Sequence, residues 1–130
     1  GAHGQISVLV GHRLLKETQH HLNLFLRHDK RITDVDRQRE TVYDGDVSDT
    51  DKLTKEMSGS DLVYANLGNS GIEDQAKSAV KAMDANHVKR YIWISTLGIY
   101  AEVPGAFGRW NHKILYDGNL ETYAPAAKVN

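Results

Sequence analysis

The chain has 130 residues, 40% hydrophobic and 25% charged, and its 16 basic against 17 acidic residues leave a formal net charge of -1 at pH 7. That balance gives no overall field for nucleic acid or an acidic membrane surface, and the apolar runs are far too short to span a bilayer. The absence of cysteine removes disulfides, thiolate catalysis and Cys-type zinc sites together.

The length is that of a single domain, 1–130. No charged leader stands before an apolar segment, so a cytoplasmic protein is expected. A mean hydropathy of -0.51 is on the polar side and fits a domain short of some buried strands.

The chain opens on Gly1-Ala2-His3-Gly4-Gln5-Ile6-Ser7. Glycines so spaced before an aliphatic run suit a turn into a helix around a phosphate, because a side chain there would keep the anion from the backbone N–H groups. Ile6, Val10 and Leu14 recur at helical spacing, predicting a helix over 6–18. Leu22 to Leu26 reads as a buried strand emptying into the polar loop Arg27-His28-Asp29-Lys30-Arg31. Thr41-Val42-Tyr43 is a shorter strand, followed by Asp44-Gly45-Asp46-Val47. Ser48 is the expected cap of a helix running to about Met57, where Ser58-Gly59-Ser60 stops it. Asp61 to Leu67 is the next strand, Ile72 to about Asn86 a helix, and Arg90 to Ile94 a further strand. Val103 to Gly108 reads as a mobile loop over the site.

Strands alternating with helices predict a Rossmann-type doubly wound parallel sheet with helices on both faces. In the usual strand order of such a fold the first strand is central, between the strands at 22–26 and 61–67. Without it, two rows of backbone groups would face each other unpaired, each costing about 1–3 kcal/mol when buried. The expectation is therefore a hydrophobic strand ahead of Gly1.

Several residues fall where the crevice of such a fold binds its ligand, at the carboxyl ends of the strands. Gly1, His3, Gly4, Gln5 and Ile6 form the turn for a dinucleotide's diphosphate. Arg27 ends its strand where an acid would hold a ribose 2′-hydroxyl or a base a 2′-phosphate, and with Lys30 and Arg31 nearby it favours NADP(H) over NAD(H). Asp46 can accept from an adenine amino group while the Val47 N–H donates to the ring. Asn66, Leu67 and Gly68 let backbone pass close beneath the cofactor. Each of these features also has a plain reading, as a turn, a solvated loop charge or a helix cap.

In this order the motifs GAHGQI, the strand ending at Arg27, DGDV, YANLG and VKRYIWISTLGIY resemble the atypical short-chain dehydrogenase/reductases, in particular the NmrA-like and epimerase-like NAD(P)-binding proteins. The resemblance covers Gly1 to about Gly108. It implies a preceding first strand, a C-terminal portion that forms much of a substrate pocket, and an oxidoreductase acting on an unknown small molecule. Ser7 departs slightly from the family's usual glycine or alanine.

The resemblance also implies a hydroxyl after the last predicted strand, matched by Thr96 with Ser95 beside it, and a Tyr-x-x-x-Lys pair in which lysine lowers the phenol's pKa. Tyr123 and Lys128 are the candidates for that pair, but they stand five apart, which on a helix of about 3.6 residues per turn turns the lysine away. Pro125 lies between them. The alternative is a sensing protein of the same fold that binds the dinucleotide without turnover. The seven histidines show no i, i+4 pair, so no metal is expected, and the acids interleaved after Arg27 argue against nucleic acid.

Overall fold

Runs of four or five β-favouring residues alternate with amphipathic helical stretches, and the computed structural model realises that alternation; it describes residues 1–68, 71–100, 102–118 and 126–129. The elements are α1 (Gln5–Glu17), β1 (Leu22–Leu26), a 3-10 turn (Asp29–Arg31), β2 (Glu40–Asp44), α2 (Thr50–Glu56), β3 (Leu62–Ala65), α3 (Ile72–Ala85), β4 (Arg90–Trp93) and α4 (Gly105–Gly118).

The strands pair in parallel, β1 with β2 from Leu22 opposite Glu40 to Leu26 opposite Asp44, and β3 with β4 from Leu62 opposite Arg90 to Ala65 opposite Trp93. Parallel strands need crossovers, supplied by α3 between β3 and β4 and by the segment with the 3-10 turn between β1 and β2. This is the Rossmann-like α/β fold expected, yet among the described residues the strands form two separate two-stranded sheets.

The main core lies beneath these strands, where Leu53 and Met57 of α2 meet Ala79, Ala82 and Met83 of α3 and the following Val88, with Phe25, Val47, Val63 and Tyr91 packed against them. Small residues along α3 let its backbone lie close to α2, and Asn86 Nδ2 ties the two by donating to Thr54 O at 2.8 Å and Ala82 O at 2.9 Å. Period-2 alternation puts Leu22 and Phe25 on opposite faces of β1. Phe25 meets the α2–α3 core, while Leu22 faces Gly11 of α1. Despite its apolar stripe, α1 has no buried residue.

What secures the far end of α1 is Arg39. Its guanidinium donates to Leu15 O (2.9 Å), Thr18 O (2.9 Å) and His20 O (2.7 Å), collecting carbonyls that a helix end and the following turn leave free.

Two local expectations are corrected. The cap of α2 is Asp49, whose carboxylate accepts from the Lys52 N–H at 3.0 Å; Ser48 is instead part of a turn in which its own N–H donates to Asp46 at 2.9 Å. Residues 105–108 are the first turn of α4 rather than a loop. Gly105 enters the helix at a φ of 75° after Pro104, and Gly108 lies so close to the Val103 carbonyl that a side chain would collide with it. On α4, the Phe107 and Trp110 rings lie tilted to each other with centroids 5.6 Å apart, and both are 56% exposed.

Replacing Arg39 with Ala is expected to cost about 2 kcal/mol, the net worth of charged hydrogen bonds to several carbonyls. Urea denaturation would read this as a lower midpoint, and Arg39→Lys, which cannot span all three acceptors, should recover only part of it.

Candidate functional site

The carboxyl ends of β1 and β3 both abut the opening turn. The Gly1 amine donates to Asn66 O at 2.8 Å, the Ala2 N–H to Phe25 O at 3.3 Å, and the Gly4 N–H back to Gly1 O at 3.0 Å. Gly4 is the N-cap of α1, with no side-chain cap and no acid in the first turn. The first N–H groups of the helix therefore keep their partial positive charge directed outward.

Gly4 has an ordinary extended backbone, φ -64° and ψ 147°. Its lack of a side chain serves proximity, since a Cβ would stand 3.3 Å from Gly1 O and 3.4 Å from Asn66 Nδ2. The turn and the end of β3 are thus brought together, as are Gly1, Gly4 and Asn66 among the residues singled out from sequence. Gln5 and Ile6 are exposed at the start of α1, Leu67 is half-buried and Gly68 exposed.

Arg27 follows β1 and is exposed, with its guanidinium 3.7 Å from the Asp46 carboxylate. Asp46 sits below the usual carboxylate range, chiefly because the Ser48 backbone N–H donates to it and in lesser part through the Arg27 charge.

Two features of this corner had no sequence signal. His28 takes a left-handed backbone at φ 62°, and its N–H donates to Asp44 Oδ1 at 2.8 Å, so the last residue of β2 fixes the turn that carries Arg27. Arg31 reaches across to His3, Nη2 to Nδ1 at 3.0 Å, joining the 3-10 turn to the opening turn. Beside them Gly45 is required by packing, because a Cβ there would meet the Phe25 ring at 2.5 Å.

Beyond β4 the Ile94 N–H donates to Ala65 O at 2.9 Å, which carries the strand pairing up to Ser95 and Thr96, the first exposed and the second half-buried. Glu102 gathers the next turn, accepting from the Gly98 N–H at 2.7 Å and the Tyr100 N–H at 2.9 Å, and Asn111 of α4 donates to Leu97 O at 3.2 Å. Tyr123 lies outside the described residues. Lys128 is exposed, in a segment whose Ala126 and Val129 pack with Ile72, Ala76 and Trp93. Among the described residues no three His, Asp or Glu side chains converge as metal ligands, and no helix is long and apolar enough to cross a membrane.

A family profile described as NAD(P)H-binding matches residues 1–129. The crystal structure of a short-chain dehydrogenase/reductase from Veillonella parvula in complex with NADP superposes with a TM-score of 0.89 at 30% identity, over 99% of this chain and 60% of that one. A Rossmann-fold NAD(P)-binding family protein from Shigella flexneri superposes at 0.67 with 33% identity, over 92% of this chain and 60% of that one. An NADPH-dependent quinone oxidoreductase from Escherichia coli, complexed with NADPH, superposes at 0.68 with 23% identity over 90% of this chain and 43% of that one, a likeness of fold alone. The chain thus spans about 60% of the length of the first two. No curated protein matches it.

Removing the acceptor in Asp44→Ala is expected to cost about 1 kcal/mol by freeing the His28 N–H. Adding His28→Gly, which adopts the left-handed backbone without strain, should return about 0.5–1 kcal/mol. Denaturation midpoints of the two single variants and the double variant would check both signs.

Proposed function

The chain belongs to the NAD(P)H-binding family, in its atypical short-chain dehydrogenase/reductase-like branch, and on that premise we propose that residues 1–130 form a single domain binding NADP(H) for an oxidoreductase. The observation that carries the reading is the uncapped, acid-free start of α1, set at the carboxyl ends of β1 and β3 and flanked by Arg27 and by Arg31 on His3.

The residues present fit such a group. A diphosphate needs unsatisfied N–H donors and no competing carboxylate, which the turn from Gly1 to Ile6 offers. Arg27 is assigned to a ribose 2′-phosphate, Asp46 and Val47 to the adenine edge, and Asn66, Leu67 and Gly68 to the floor beneath the ribose and nicotinamide. The Veillonella relative is a complex with NADP, which supports the same dinucleotide here. The nicotinamide, when bound, gives or takes the hydride.

Thr96, with Ser95 beside it, is assigned to hydrogen-bond the substrate oxygen from the end of β4, where the Ile94–Ala65 bond steadies the backbone. Tyr123 and Lys128 are the assigned phenol and ammonium for the accompanying proton. The oxidoreductase name of the Escherichia coli neighbour agrees with this class of reaction but, at 23% identity, adds the fold and nothing finer. A soluble cytoplasmic setting is part of the proposal.

Titrating NADPH and NADH against the fluorescence of Trp93 and Trp110 is the direct test. NADPH should bind more tightly, and Arg27→Ala should weaken NADPH about 10- to 100-fold while leaving NADH nearly unchanged, the worth of one charged contact to phosphate. No response to either dinucleotide overturns the reading. A preference for NADH overturns the role of Arg27, and binding without reduction of any carbonyl compound would mark a sensor instead.

A further inference from the structure

Among the described residues Ser78 of α3 is the only buried residue that is polar, at 6% exposed. It stands in a helix that uses alanine at its other small buried positions, Ala76, Ala79 and Ala82, so its hydroxyl calls for a reason. Ser78 Oγ donates to Val47 O in the loop after β2, and it lies 2.9 Å from Thr50 Oγ1 at the start of α2. A serine carries one hydroxyl hydrogen and a carbonyl can only accept. The Ser78 hydrogen therefore goes to Val47, and the Thr50 hydroxyl is the donor to Ser78.

The relay thus runs in one direction, from Thr50 to Ser78 to Val47, and ends on the peptide that joins Val47 to Ser48. The other side of that peptide is the Ser48 N–H, which donates to Asp46 Oδ1 at 2.9 Å, while Asp46 Oδ2 stands 3.7 Å from the Arg27 guanidinium. A trans peptide is planar, with its C=O and N–H pointing opposite ways. A carbonyl drawn inward to Ser78 consequently turns the N–H outward to the carboxylate. The Val47 side chain, packed against the α2–α3 core, leaves the peptide little other freedom.

We propose that Ser78 is a positioning residue for the adenine end of the dinucleotide site: it orients the Val47–Ser48 peptide, and through that peptide the Asp46 carboxylate, without touching the ligand. This role rests on the dinucleotide reading, in which Asp46 and Val47 take the adenine edge. It agrees with the electrostatics of the corner, where the Ser48 N–H, ahead of the Arg27 charge, holds the Asp46 carboxyl below the ordinary carboxylate range. A merely structural tie between α2 and α3 would instead depend on the Thr50–Ser78 bond.

Ser78→Ala and Thr50→Val separate the two roles. The Asp46 carboxyl is followed by carbon-13 NMR through its acid titration, and the affinities for NADPH and NADH by the fluorescence of Trp93 and Trp110. Ser78→Ala releases the Val47 carbonyl, so the Asp46 midpoint should rise toward the ordinary range. Both dinucleotides should weaken about 5- to 10-fold, the worth of one hydrogen bond, because adenine is common to them. Thr50→Val keeps the bond from Ser78 to Val47 and should leave both readings close to those of the unaltered chain. Should Ser78→Ala fail to fold, Ser78→Cys, a weaker donor, is read in the same way and should move both in the same directions by less. An Asp46 midpoint unmoved by loss of the serine hydroxyl, or Thr50→Val acting as strongly as Ser78→Ala, overturns the role of Ser78 alone. Failure of the unaltered chain to bind either dinucleotide overturns the cofactor reading and this role together.

Discussion

Two backbone hydrogen bonds, from Gly1 to Asn66 and from Ala2 to Phe25, link the opening turn to both halves of the structure. Everything around the candidate site takes its position from them. Among the described residues the strand pairs share no ladder, so the link between them at this end is a turn one or two residues long. The same turn sets where α1 begins, and hence where its uncovered N–H groups point. Arg39 holds the helix at its other end through three carbonyls, so α1 is pinned at both ends while its middle packs loosely.

The cationic corner depends on a second layer of backbone chemistry. Asp44 holds His28 in the left-handed region, and that turn decides where Arg27 and the 3-10 turn after it are displayed. Arg31 then closes onto His3. Side chains separated widely along the chain are therefore organised by one carboxylate that touches neither cation. The core under α2 and α3 is ordinary by comparison, with alanines along α3 giving close helix contact and Asn86 joining the helices.

Much of the fold was legible in the sequence because hydrophobic periodicity is a local signal. β1 spans the residues the apolar run marked, and the helices at 5–17 and 72–85 lie within a residue or so of their periodic stripes. α4 was not legible: Pro104, Gly105 and Gly108 read as loop residues, and only the close pass of Gly108 beneath the Val103 carbonyl shows why glycine belongs inside that helix. The cap of α2 falls one residue on from Ser48, because it is the Asp49 carboxylate that accepts the Lys52 N–H. At the site, the meeting of Gly1, Gly4 and Asn66 followed from strand order, whereas the Arg31–His3 contact could not, since nothing local links positions 3 and 31 before His28 turns the chain.

The Arg27–Asp46 pair has a consequence for anion recognition in general. Both partners are solvent-accessible and 3.7 Å apart, so the guanidinium is already furnished with an intramolecular counterion. An arriving phosphate exchanges one anionic neighbour for another, and its gain is the difference between two pairings rather than the whole of one. Such a swap damps the response to any small anion with a single negative charge and rewards a doubly charged ligand anchored elsewhere, which turns a weak surface contact into a discriminator.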